Sequence, residues 1–245
     1  MRILIVNDDG VYSPGIAALA ATAKEFGDVT IVAPDVERSS TGHAVTHSRP
    51  LSYRRTAIAG FEAFRVDGTP ADCVAIGFNV AGKADVVLSG LNLGLNLGNS
   101  MWHSGTLAGA KQASLMGSRG IALSAPAEAV ETGFDVLKPH VREVLALLLP
   151  AEELTLVNVN FPADPRGLRW TRQSVRHYDG KVVPSKDPMG RSHYWFTVFP
   201  TEETEEGTDR YATNHGYVSL TPLRLDLTDH EALAAQLEKN PALRP

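Results

Sequence analysis

The sequence is poor in cysteine, and that scarcity narrows its chemistry at once. Cys73 is the one cysteine in 245 residues, so an intramolecular disulfide is impossible and no cysteine cluster can hold zinc; a reducing, cytoplasmic setting is expected. Long apolar runs are missing as well. After Arg2 only Ile3 to Val6 are apolar before Asn7-Asp8-Asp9-Gly10, short of the roughly 7 to 15 residues of a secretory leader, and no stretch approaches a membrane span of roughly 20. Positive charge is not in excess: 23 Lys+Arg stand against 28 Asp+Glu, a net charge of −5. Without a global positive field, no nucleic-acid partner is expected, and an anionic ligand needs a local site.

Several familiar motifs are also absent. There is no GxGxxG for a dinucleotide and no GxSxG for an α/β-hydrolase nucleophile. The run Gly77 to Ala84 resembles a P-loop but lacks the terminal Ser or Thr and lies between a helix and a strand, the reverse of the required order. A phosphatase with a nucleophilic Asp and a second Asp two residues on is disfavoured, because Gly10 stands two residues after Asp8.

What is present is alternation. The β-branched run Ile3 to Val6, a helical segment from Gly15 to Phe26 closed by Gly27, and the continuous apolar run Val29 to Ala33 read as a βαβ unit with a strand buried on both faces. Helix 71–78, strand 85–89, helix 106–116, strand 120–124, an amphipathic stretch 135–149 and strand 154–160 continue the pattern. An inserted hairpin is expected over residues 51 to 67, with its strands around Leu51-Tyr53 and Phe64-Val66. The fold class is therefore α/β, a doubly wound, Rossmann-like, mostly parallel sheet. Past Pro162 the alternation at Arg169-Ser174 and Tyr194-Val198 reads as hairpins, followed by a strand at 216–223 and a closing helix at 229–237. The expected organisation is one domain over 1–245, with an α/β core at 1–165 and a hairpin extension with a closing helix at 166–245.

Ligands of open parallel sheets bind beyond the carboxyl ends of the strands. Three loops there carry chemistry. Asp8 and Asp9 follow the first strand, where Gly10 frees the chain to turn, and two carboxylates suit a hard divalent cation; a plain surface turn is the alternative. After the second strand, Ser39, Ser40 and Thr41 can ligate a metal or phosphate, or simply cap the next element. His43 and His47 have zinc-helix spacing, but Gly42 and Pro50 argue against a helix, and an extended chain sets them roughly 13 Å apart. The third loop, Ser89 to Asn99, alternates Gly90, Gly94 and Gly98 with Asn92 and Asn96. It leads to His103-Ser104-Gly105-Thr106 at a helix start, whose free N–H groups can cradle phosphate.

Taken in order, these residues resemble the SurE family, the survival-protein-E nucleotidases. The resemblance runs nearly end to end. It rests on Asn7-Asp8-Asp9-Gly10, Ala33-Pro34 with Glu37-Arg38-Ser39, Gly68 to Val74, Ser89-Gly90-Leu91-Asn92, Asn96-Leu97-Gly98 and Ser104-Gly105-Thr106. Thr171-Arg172-Gln173, Gly216 to Ser219 and Thr221-Pro222 extend it. The resemblance implies a phosphomonoesterase acting on nucleoside 5′- and 3′-monophosphates, with polyphosphate as a further substrate and one Mn²⁺ or Mg²⁺ per subunit. It implies that Asp8, Asp9, Ser39 and Asn92 are metal ligands, that Asp8 and Asp9 are catalytic, and that Asn96, Ser104, Gly105 and Thr106 form the phosphate pocket. It further implies a homodimer or homotetramer joined by C-terminal hairpins. Ser40 is a further candidate. His103 stands where relatives often carry an aromatic residue, and reads as a pocket-edge or capping residue with a general-acid role as the alternative. The rival function is a non-catalytic, metal-dependent nucleotide or polyphosphate sensor.

Overall fold

The structure, a computed structural model, describes residues 1–176, 180–198 and 204–243. Its centre follows from one local fact. Ile3-Leu4-Ile5-Val6 has no polar alternation, and β1 (Arg2–Val6) is accordingly buried on both faces. Pro14 opens α1 (Pro14–Ala23) in the first turn, where its missing N–H is not needed. β2 (Asp28–Pro34) then returns parallel to β1, with Ile3 opposite Val29. β3 (Tyr53–Ile58) and β4 (Phe61–Val66) form a hairpin turned at Ala59-Gly60, both at positive φ of 50° and 86°. A reciprocal capping box between Thr69 and Asp72 starts α2 (Pro70–Val80).

β5 (Val86–Leu93), α3 (Gly105–Leu115), β6 (Arg119–Ala125), α4 (Lys138–Leu148) and β7 (Leu156–Asn160) complete the α/β alternation. Beyond them come β8 (Leu168–Trp170), β9 (Gly180–Lys186), β10 (Ser192–Val198), α5 (Asp209–Asn214), β11 (Val218–Pro222) and α6 (His230–Lys239). Among the described residues a nine-stranded sheet runs β3-β4-β2-β1-β5-β6-β7-β11-β8, and β9 pairs with β10 apart from it. The six strands from β4 to β7 are parallel. Ile16 and Leu19 of α1 and Val141 and Leu145 of α4 fill one face. Cys73 and Val74 of α2 and Ala113 of α3 fill the other. The chain leaves β1 toward β2 on one side and reaches β5 on the other, so the turn after β1 sits at the switch in strand order where open sheets bind ligands.

The expected doubly wound sheet is present, and three local expectations change. The expected loop from Ser89 begins as strand: β5 runs on to Leu93, and Gly90 permits this because a Cβ there would stand 2.3 Å from Leu123 O. The segment after Pro162 is not all hairpin. β8 runs parallel to β11, and β11 pairs antiparallel with β7, so the C-terminal region extends the main sheet past residue 165. A three-residue strand has too little alternation to reveal its direction. The inserted hairpin also lies later than expected at its first strand, and β4 joins the main sheet beside β2, with Val32 opposite Phe64.

Candidate active site

The ends of three strands, β1, β2 and β5, and the start of α3 converge on one cavity of about 750 Å³, lined by Asp8, Ser39, Ser40, Asn92, Asn96, Ser104 and His103, among others. The turn that presents the carboxylates is locked from both sides. Asn7 Nδ2 donates to Gly10 O at 3.0 Å, and Gly10 N–H donates to Asn7 Oδ1 at 3.2 Å. Gly10 sits at φ 98°, a backbone region that favours glycine. Arg38 N–H donates to Asp8 O at 2.7 Å, which brings the Ser39 loop alongside.

Asn92 reaches the cavity through a bulge. The β5–β6 register passes from Ser89 opposite Ala122 to Asn92 opposite Ser124, so Gly90 and Leu91 together face one residue, Leu123. The extra residue reverses the side-chain alternation and puts Asn92 on the same face as Ser89, the face covered by α3. Asn92 Nδ2 donates to Gly94 O at 2.5 Å, so the amide oxygen is the atom with which Asn92 could ligate a cation.

Asp8 is held by the start of α3. Thr106 Oγ1 donates to Asp8 Oδ1 at 2.7 Å, and a Cβ at Gly105 would stand 2.8 Å from Asp8 Oδ2. Only glycine allows that approach. The resemblance implies that Gly105 and Thr106 belong to a phosphate pocket; both pack against the Asp8 carboxylate, and the Thr106 side chain is fully buried. Ser104 Oγ accepts from Leu107 N–H at 3.0 Å as the helix cap, and Ser104 still lines the cavity. Asn96 lines it too, with Nδ2 donating to Ser124 Oγ at 2.9 Å.

Burial pushes the Asp8 carboxyl above its ordinary value, against the pull of the Thr106 hydroxyl. Burial, then the neighbouring Asp8 charge, pushes Asp9 up to about 6. Among the described residues no three His, Cys, Asp or Glu side chains cluster as a metal centre, so a cation here depends on hydroxyl and amide oxygens as well. Two raised carboxylates with a serine hydroxyl and an asparagine oxygen form an all-oxygen set that fits a hard divalent ion. Ser39 Oγ donates to Glu37 Oε1 at 2.6 Å, which adds a third carboxylate at the rim.

Other sequence candidates lie elsewhere. His43 Nε2 pairs with Gln112 Oε1 at 2.9 Å, and Cys73 is fully buried with its thiol pushed up by desolvation. Sequence reasoning missed Phe196 and Thr197 of β10, which line the cavity from the C-terminal hairpin. It also missed the clamp behind the Asn96 loop. Asn96 N–H donates to Asn160 Oδ1 at 2.7 Å, and Asn158 Nδ2 donates to Asn96 O at 2.8 Å. Polar residues within a buried strand were the available signal, since buried amides need partners.

Comparison with known proteins finds relatives along almost the whole chain. The family model described as survival protein SurE matches residues 3–180. A protein of Thermus thermophilus named 5′-nucleotidase SurE 1 is 46% identical, over 97% of this chain and 98% of its own length. The 5′-nucleotidase SurE of Deinococcus radiodurans is 42% identical, over 99% and 94%. The crystal structure of the SurE protein from Aquifex aeolicus superposes with a TM-score of 0.82 at 38% identity, covering 98% of this chain and 99% of that one. With matches over nearly its full length and the Asp8-Asp9 turn at the sheet's switch point, the chain belongs to the survival protein SurE family.

Proposed function

We propose that the chain is a divalent-metal-dependent 5′-nucleotidase, a phosphomonoesterase that hydrolyses nucleoside 5′-monophosphates, and 3′-monophosphates beside them, to nucleoside and phosphate. The observation that carries this reading is the adjacent Asp8-Asp9 pair, both carboxyls raised by desolvation, with Asp8 buried at the wall of a cavity large enough for a nucleotide. The names of relatives at 46% and 42% identity support it.

Asp8, Asp9, Ser39 and Asn92 would hold the cation. When bound, Mn²⁺ or Mg²⁺ supplies Lewis-acid charge at the phosphoryl group and acidifies the attacking water. Thr106 and the start of α3 orient Asp8. Asp9, the less buried of the two, takes the proton of the attacking water. Asn96 and Ser104 face the phosphate and donate to its oxygens. His103 lines the same cavity. Polyphosphate, with the same terminal phosphoryl chemistry, is a further substrate.

The assembly in this reading is a homodimer or homotetramer built on the β9–β10 hairpin. Its strands expose Val182, Tyr194 and Trp195, and an isolated two-stranded ribbon is marginal without a partner surface. A reducing, cytoplasmic setting is consistent with the single cysteine. Among the described residues no helix is long and apolar enough to cross a membrane. A phosphate sensor without turnover is disfavoured, since two adjacent carboxylates repel phosphate unless a cation lies between. Phosphate release from AMP that stops with EDTA and returns with Mn²⁺ or Mg²⁺ supports the enzyme; binding of AMP without release overturns it.

A further inference from the structure

The four residues that would hold the cation are chemically unequal. Asp8 and Asp9 bring charge and Asn92 brings an amide oxygen, but Ser39 brings a neutral hydroxyl, which ligates well only when its proton is held elsewhere. Glu37 holds it. Ser39 Oγ donates to Glu37 Oε1 at 2.6 Å, the length of a charge-assisted O–H···O⁻ bond. With the proton engaged there, the lone pairs of the hydroxyl are left for the cavity that Ser39 lines. The loop around this bond is anchored at three points. Arg38 N–H donates to Asp8 O at 2.7 Å, Thr41 Oγ1 donates to Arg38 O at 2.9 Å, and Gly42 N–H donates to His103 O at 3.0 Å.

Glu37 also lacks the counter-charge that a surface glutamate commonly finds. The guanidinium of neighbouring Arg38 turns to Asp35 at 3.9 Å, and among the described residues no Lys, Arg or His pairs with Glu37. Burial is the main reason that the Asp8 and Asp9 carboxyls are raised, and the charge of Glu37 adds to both. A third carboxylate in this place repels the other two, and a cation between them turns that repulsion into attraction.

We infer that Glu37 is a positioning residue for the divalent cation: it takes the Ser39 proton, turns the hydroxyl's lone pairs to the cavity and raises the affinity of the site for the metal. The inference deepens the metal-dependent reading of this site and rests on it. Hydrogen-bonded partners behind a ligand fix its orientation and raise its basicity, and their loss costs about 10–100-fold in metal affinity or activity. Glu37 acts through Ser39 and is not itself a ligand.

Calorimetric titration of the EDTA-treated, dialysed protein with Mn²⁺ compares wild type with Glu37→Ala, Ser39→Ala and the double variant. The expected result is a Kd raised about tenfold or more in Glu37→Ala. The same change made in Ser39→Ala costs less than about twofold further, because a group that acts through the hydroxyl has nothing left to orient. Melting curves give a second readout. In EDTA, Glu37→Ala is at least as stable as wild type, since a repelling charge is gone, and its gain in melting temperature on adding Mn²⁺ is smaller. The Mn²⁺ concentration that half-saturates phosphate release from AMP rises with the Kd, by a larger factor than the rate at saturating Mn²⁺ falls.

An unchanged Kd in Glu37→Ala overturns the inference. So does a loss that is equal with and without the Ser39 hydroxyl, which marks Glu37 as a bare charge, and so does a melting temperature in EDTA well below wild type, which marks a structural role. Wild-type protein that binds no Mn²⁺ overturns the metal reading and this inference together. Glu37-dependent Mn²⁺ binding in protein that releases no phosphate from AMP overturns the nucleotidase reading and supports the positioning role.

Discussion

The Asp209 carboxylate accepts the backbone N–H of Gly98 at 2.8 Å, across 111 residues of sequence. The same carboxylate accepts Ser174 N–H at 3.0 Å and Arg210 N–H at 2.8 Å, and it is fully buried. Gln173 Nε2 adds a bond to Gly98 O at 3.0 Å. The C-terminal segment therefore holds the loop that carries Asn96 from behind, while Asn158 and Asn160 of β7 hold it from the sheet. Gly98 has no room to spare: a Cβ there would stand 2.4 Å from Ser174 O.

Asp209→Ala strands buried backbone donors that the carboxylate satisfies. Each unsatisfied buried group costs about 1–3 kcal/mol, so a loss of about 3 kcal/mol in unfolding free energy is expected. Urea denaturation followed by circular dichroism reads it. Nucleotidase activity falls in the same variant, because the Asn96 loop loses its rear support. A stability within about 0.5 kcal/mol of wild type, the range of an ordinary surface change, defeats the clamp.

How much of this was readable beforehand depended on distance along the chain. β1 and β2 were legible because continuous apolar runs have one stable environment, the interior of a parallel sheet. The Asp8-Asp9 turn was legible because Asn7 and Gly10 form it among themselves. The direction of β8 was not, since a three-residue strand takes its pairing from β11, far away in sequence. Phe196 escaped notice for the same reason: nothing local to Tyr194-Trp195-Phe196 says which cavity a hairpin will reach. Gly105 and Thr106 were seen as important from their place at a helix start, yet their partner proved to be Asp8, a contact 98 residues away for Thr106.

Gly105→Ala tests that contact by shape alone. The added methyl meets Asp8 Oδ2 at 2.8 Å and its Cβ at 2.9 Å, so the carboxylate or the start of α3 has to move. Overpacking of this kind costs about 1–3 kcal/mol, and in the proposed reaction a displaced Asp8 carboxylate costs catalysis more than stability. The expected outcome is a kcat/KM lower by about tenfold or more, in protein that still unfolds cooperatively; a tenfold loss equals about 1.4 kcal/mol of transition-state stabilisation. Wild-type turnover would show that the Asp8 position is not critical.

Thr106→Val keeps the shape of the side chain and removes the hydroxyl from Asp8 Oδ1. That hydrogen bond lowers the Asp8 pKa against its burial, so its loss raises the pKa further and favours the protonated carboxyl. Metal binding, which needs the carboxylate, then requires higher pH. Calorimetric titration with Mn²⁺ across a pH series should place the half-maximal affinity at a higher pH in the variant than in wild type. A shift in the opposite direction contradicts the assignment.

The sign of the pH effect on stability follows from Asp9. Its ordinary value is 3.8, and in the fold it lies at about 6, so the folded chain binds this proton more tightly than the unfolded chain does. Stability from that difference is present at low pH and is lost as pH rises from about 4 to about 6, the reverse of a salt-bridged carboxylate. Asp9→Asn removes the titration. Without divalent ions, the melting temperature of the variant should therefore gain on wild type as pH increases from about 4.5 to about 7.5. Mn²⁺ reverses the comparison, because a cation bound to the ionised pair stabilises wild type at the higher pH and has lost a ligand in the variant. Melting curves at both pH values, with EDTA and with Mn²⁺, read all four terms. A difference between the two proteins that stays constant with pH in EDTA would mean that Asp9 ionises freely in the fold, and the Asp8-Asp9 pair would lose its claim to be a site strained in favour of a metal.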